Sequence, residues 1–164
     1  MTETPAADAA PGPVLIAYDG SELAQLAIEH AGRQLASGRE AIVVCAWQPV
    51  DVGFVPVGAQ HFDAQDAHAV EQAAQQTAAH GATLAQQAGF RARGEAIEAS
   101  PTWKGICRAA DAHEAGLIVL GAHRRSGILG HLLGSVSSAV AHHSPRAVLI
   151  VHQPASDERP ESGH

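Results

Sequence analysis

Leu117-Ile118-Val119-Leu120 is an unbroken apolar run, and it leads straight into Gly121-Ala122-His123-Arg124-Arg125-Ser126-Gly127-Ile128-Leu129-Gly130-His131-Leu132-Leu133-Gly134-Ser135. Four aliphatic residues with no polar alternation suit a strand covered on both faces, as in a parallel sheet. The glycine-bearing stretch behind it, Gly121 to Gly134, predicts a loop that leaves this strand. A helix then opens at Ser135 and ends near His143, and Ala147–Val151 (AVLIV) reads as another buried strand.

The same alternation extends toward the N-terminus. Val14–Ala17 (VLIA) is a short apolar run closed by Tyr18-Asp19-Gly20-Ser21. Ser21 and Glu22 open a helical pattern of Leu23, Leu26, Ala27, His30, Ala31 and Leu35, which Gly38 closes. Ala41–Trp47 (AIVVCAW) reads as a buried strand, and residues 50–62 as a loop. Asp63 to Ala88, rich in Ala and Gln, predicts a long helix with Gly81 as its point of weakness or bend. Phe90–Ala99 alternates weakly and is the poorest strand candidate; Ser100-Pro101 then starts a helix reaching about Glu114. Strands and helices in this order, joined by right-handed crossovers, imply an α/β fold: a doubly wound five-stranded parallel sheet sandwiched by helices. Residues 13–153 form the expected domain. Residues 1–12 and 154–164, small, polar and Pro-bearing, are expected to be flexible tails.

Composition narrows the function. The 164 residues are 46% hydrophobic and 16% charged, enough apolar material for one core. No apolar run approaches the roughly 18–20 residues that span a bilayer, and residues 1–12 lack a basic start typical of a secretory signal. A cytoplasmic protein with no membrane partner is expected. The net charge of −7 does not suit a nucleic-acid partner, and protonating all 11 His would carry it to +4. Cys45 and Cys107 form no CxxC pair and imply no disulfide framework.

In open α/β sheets ligands sit beyond the carboxyl ends of the strands, where the winding reverses. Most enzyme signatures of such folds are missing there. The only Lys, Lys104, lies outside any phosphate loop, and no GxG, GxSxG, HExxH or zinc-ligand spacing occurs. What remains is the loop after Leu120. Gly121 permits a close approach, and Gly134-Ser135 stands where a helix begins, so free N–H groups and the helix dipole attract an anion. Ser135 can cap that helix or donate to a phosphate oxygen, and Ser137 and Ser138 add donors in the first turn. Turn glycines with an ordinary helix cap would read the same.

With these residues in place, the chain resembles the universal stress protein family over nearly all of residues 14–152. The family signature is G-x2-G-x9-G-[S/T], and here it reads Gly121-x2-Arg124-x9-Gly134-Ser135, followed by Val136. Val14 to Ser21 and Pro145 to Val151 are similar to the family's first and last strands. The resemblance implies the adenine nucleotide alpha hydrolase-like fold and binding of ATP or another adenine nucleotide, with Mg²⁺ able to bridge its oxygens. Carried over by position, it implies that Asp19 and the backbone of Ala46 hold the adenine and that Gly121 lies against the ribose. Gly134, Ser135 and the nearby amides of Val136 and Ser137 would hold the phosphates. His123 either contacts phosphate or ribose, or is a solvated loop residue.

Arg124 is a departure, since the signature has Gly there. Arg costs more than Gly where φ is positive, which would block the site and leave a nucleotide-free dimeric interaction module. Alternatively, Arg124 and Arg125 bring two guanidiniums to a phosphate. No catalytic base or nucleophile and no metal site stand out, so hydrolysis is expected to be very slow or absent. His142-His143 suit a helix C-terminus, Cys45 a buried thiol, and Trp103 packing. Residues 147–151 form an apolar strand expected at the sheet edge, which invites a homodimer; the resemblance implies the same.

Overall fold

The computed structural model describes residues 11–35, 37–48, 64–122 and 134–153. Strand β1 (Val14–Ala17) leads to helix α1 (Glu22–Gln34), then β2 (Glu40–Trp47), α2 (Ala64–Gln87) and β3 (Arg91–Glu98). Helix α3 (Thr102–Ala112), β4 (Leu117–Ala122), α4 (Ser135–His143) and β5 (Ala147–His152) follow. All strand pairings are parallel, in the order β3-β2-β1-β4-β5. The chain therefore winds outward from β1 in one direction and from β4 in the other, and the reversal falls between those two strands.

Burial follows the sequence pattern. Val14, Leu15 and Ile16 are fully buried, as are Ile118 and Val119, because helices cover both sheet faces. Val14, Ile16, Val43 and Val119 pack beneath α1 and α2, whereas Leu15, Ile42, Val44 and Ile118 face α3 and α4. Helix α1 begins where Ser21 Oγ accepts from the Ala24 N–H at 3.2 Å, and it buries Leu23, Ala24, Ala27, Ile28 and Ala31.

Register and packing account for three local features, one of which departs from the sequence reading. Helix α2 runs through Gly81, where the Tyr18 ring packs so closely that a Cβ would lie 2.6 Å from Cδ1. Gly121 and Ala122 belong to β4 rather than to the loop, because they stay in register with Val151 and His152 of β5. The weak alternation of 90–99 does form β3, paired with β2 over eight residues. Its polar character fits an edge strand, whose outer side has no neighbouring strand.

Candidate functional site

A cleft of about 180 Å³ opens at the carboxyl ends of β1, β2 and β4. Tyr18 and Asp19 border it after β1, Val44 and Ala46 from β2, and Leu120 and Gly121 from β4. Thr102 and Ile106 of α3 and Val136 and Ser137 of α4 close the far side. The walls are thus largely apolar, with polar groups concentrated at the turn after β1 and at helix starts.

Asp19 is exposed, and its Oδ1 accepts from the Ser21 N–H at 3.0 Å. That bond fixes the turn into α1 and leaves Oδ2 for a ligand. Burial pushes the nearby Cys45 thiol above its ordinary 9.0, and the Asp19 charge pushes it further. Cys45 and Cys107 are both free thiols. Gly121 is demanded by packing: a Cβ would lie 2.9 Å from Leu23 Cγ and 3.0 Å from the Leu23 carbonyl oxygen. The glycine lets the start of α1 close down on the end of β4.

Helix α4 starts differently from the sequence expectation. Gly134 occupies the N-cap position, Ser135 is the first helical residue, and among the described residues no side chain caps the end. The Ser138 N–H reaches the Gly134 carbonyl at 2.9 Å, so the N–H groups of Ser135, Val136 and Ser137 have no acceptor within the helix. Ser137 is buried and its Oγ donates to the Gly121 carbonyl at 3.2 Å, which ties α4 to β4.

Of the residues singled out in the sequence, Asp19, Ala46, Gly121, Val136 and Ser137 border one cleft, with Gly134 and Ser135 at the adjoining helix start. His123, Arg124 and Arg125 lie outside the described residues, as do Gly127 and Gly130. Sequence reading missed Tyr18, Thr102 and Ile106 as cleft residues. Thr102, the first residue of the helix after β3, was accessible to the strand-end rule; Tyr18 and Ile106 required the packing. Trp103 packs on the core below α3 and stacks on His143 at 4.4 Å between ring centres, so its exposed face is taken by a side chain of this chain. Among the described residues no helix is long and apolar enough to cross a membrane.

A five-stranded parallel sheet wound both ways, helices on each face and a cleft at the reversal define an adenine nucleotide alpha hydrolase-like domain. The model of the universal stress protein family matches residues 12–152, and the chain belongs to that family. A universal stress protein of Mycobacterium tuberculosis is 34% identical over 152 residues, covering 86% of this chain and 45% of the relative. The chain spans about half the length of the curated relatives it matches. The universal stress protein from Archaeoglobus fulgidus superposes with a TM-score of 0.61 at 18% identity, over 86% of this chain and 98% of that one. A universal stress protein solved in complex with cAMP gives a TM-score of 0.58 at 27% identity, over 86% and 97%.

Proposed function

We propose that the protein binds ATP or a related adenine nucleotide and acts in stress response as a regulatory switch rather than as an efficient catalyst. One juxtaposition carries the reading: Asp19, Ala46, Gly121 and the first turn of α4 border a single cleft at the reversal of winding. Asp19 and the Ala46 backbone would hold the adenine between the apolar side chains of Val44, Ile106 and Leu120. Gly121 would lie against the ribose. The N–H groups of Ser135, Val136 and Ser137, which have no acceptor within the helix, with Gly134, His123 and Arg124, would take the phosphates, and Mg²⁺ accompanying ATP would offset their charge. The related protein solved with cAMP supports this ligand class. Asp19 is the only carboxylate among the described lining residues, and one of its oxygens is already engaged, which favours binding over hydrolysis.

The working form is proposed to be a cytoplasmic homodimer closed through β5. That strand ends the sheet, and Val148, Leu149 and Ile150 are only half-buried along it. An apolar edge of this kind is relieved by pairing with a second copy.

Calorimetric titration with ATP, with and without Mg²⁺, and with cAMP tests the central claim. Saturable binding weakened several-fold by Ser135→Ala is expected. Silence toward every adenine nucleotide would overturn it and leave the dimeric interaction module, with Arg124 closing the site, as the account.

A further inference from the structure

Tyr18 immediately precedes Asp19 and is almost fully buried, although its neighbour is exposed. Three contacts hold it. Its N–H donates to the Val44 carbonyl at 2.9 Å, which extends the β1–β2 pairing by one residue. Its ring fills the space that the missing Gly81 side chain leaves in α2. Its hydroxyl lies 3.0 Å from Nδ1 of His80, an exposed residue on the same helix. The phenol O–H can donate to that ring nitrogen, and burial, with the Asp19 and Cys45 charges, holds the phenol proton tightly.

We infer that His80 is a positioning residue for the cleft: through the Tyr18 hydroxyl it fixes the turn that presents Asp19 to the ligand. Helix α2 contributes no described residue to the cleft lining; it reaches the site through Tyr18, by packing at Gly81 and by this hydrogen bond, which alone ties the turn to an exposed side chain of α2. Part of the inference rests on the proposed nucleotide reading, and part concerns only the turn.

Two measurements separate them. Amide hydrogen exchange without nucleotide follows the N–H groups of Tyr18 and Ser21 in wild type, His80→Ala, Tyr18→Phe and the double variant. Each single variant is expected to speed exchange about fivefold, the double variant no further, and His80→Asn, whose amide oxygen can replace Nδ1, to restore the slow rate. Titration with ATP and with cAMP should show the same non-additive, about fivefold weakening and the same rescue. Wild-type exchange at both amides in His80→Ala would overturn the inference whether or not nucleotide binds. Faster exchange with unchanged affinity would overturn its link to the ligand. Failure of the wild type to bind any adenine nucleotide would instead count against the proposed function, with the exchange result still deciding the role of His80 in the turn.

Discussion

Gln75 of α2 stands in for a missing strand beside Ala96 of β3: its Oε1 accepts from the Ala96 N–H at 3.0 Å, and its Nε2 donates to the Gly94 carbonyl at 3.2 Å. Gln86 repeats the device at the Ala92 carbonyl, 2.9 Å away. The sheet therefore has unequal edges. Glutamines occupy three outward backbone groups of β3, which carries Arg91, Arg93, Glu95 and Glu98 besides, while β5 is largely apolar. Replacing Gln75 with Ala removes two hydrogen bonds and bares the edge. A loss of about 1 kcal/mol in urea unfolding is expected, with concentration-dependent self-association by sedimentation. An unchanged midpoint and a strictly unaltered oligomeric state would show that water serves those groups equally well.

Unequal edges also predict where a second copy docks. Ile150→Lys places a charge on β5 while β3 is untouched. Sedimentation equilibrium should show the proposed dimer in the wild type and a monomer in the variant, with the fold intact by circular dichroism. Persistence of the dimer would move the interface away from β5.

Gly81→Ala sets helix propensity against packing. In an exposed helix the change would stabilise by about 1 kcal/mol. Here the new methyl would lie 2.6 Å from Tyr18 Cδ1 and 2.8 Å from Val43 Cγ1, both in the core. Overpacking of this kind costs about 1–3 kcal/mol, so net destabilisation is expected, reduced in a Tyr18→Leu background where the ring is gone. Stabilisation by Gly81→Ala alone would mean that α2 can slide off the sheet at little cost.

The pattern of what the sequence disclosed follows from the same contacts. Buried strands such as VLIA and LIVL were legible because burial on both faces removes polar alternation, and Ser21 announced its own helix. β3 was faint because it lies at the sheet edge, and part of its support comes from Gln75 and Gln86, distant in sequence and ordinary in type. Gly81 and Gly121 both read as backbone devices, yet each is a space left for another side chain, Tyr18 and Leu23. The glycine and serine of the cleft were visible from strand-end logic and the resemblance. Ser137 turned inward because its hydroxyl meets the Gly121 carbonyl, a relation that no local pattern encodes.

Stability should fall in alkali in a defined direction. Burial comes first in raising Cys45 and Cys107 above 9.0 and Tyr18 above 10.0, with the Asp19 charge adding at Cys45 and Tyr18 and Asp111 at Cys107. The folded chain then keeps protons that the unfolded chain has released once pH passes the ordinary value. The stabilisation is complete below about pH 9 and is lost as pH rises toward the folded values. Urea midpoints from about pH 8 to about pH 10 should decline, and Cys45→Ala should flatten the early part of that decline. A midpoint that stays level across this range would show that the thiols ionise as freely in the folded protein as in the unfolded one.

Ser135 and Ser137, two residues apart in α4, should respond in opposite ways. Ser137 is 4% exposed and its hydroxyl serves the Gly121 carbonyl, so Ser137→Ala should cost about 1 kcal/mol of stability. Its backbone N–H survives the change, and nucleotide affinity should fall little once the protein is folded. Ser135 is exposed at the first helical position, where Ala is well tolerated, so stability should move by less than about 0.5 kcal/mol. What Ser135→Ala removes is a hydroxyl beside three N–H groups with no acceptor in the helix, and several-fold weaker ATP binding is expected. Unfolding curves and titrations on the two variants form a crossed pair. If Ser137→Ala kept its stability and lost the ligand, the inward hydrogen bond would be secondary and the hydroxyl would belong to the ligand instead.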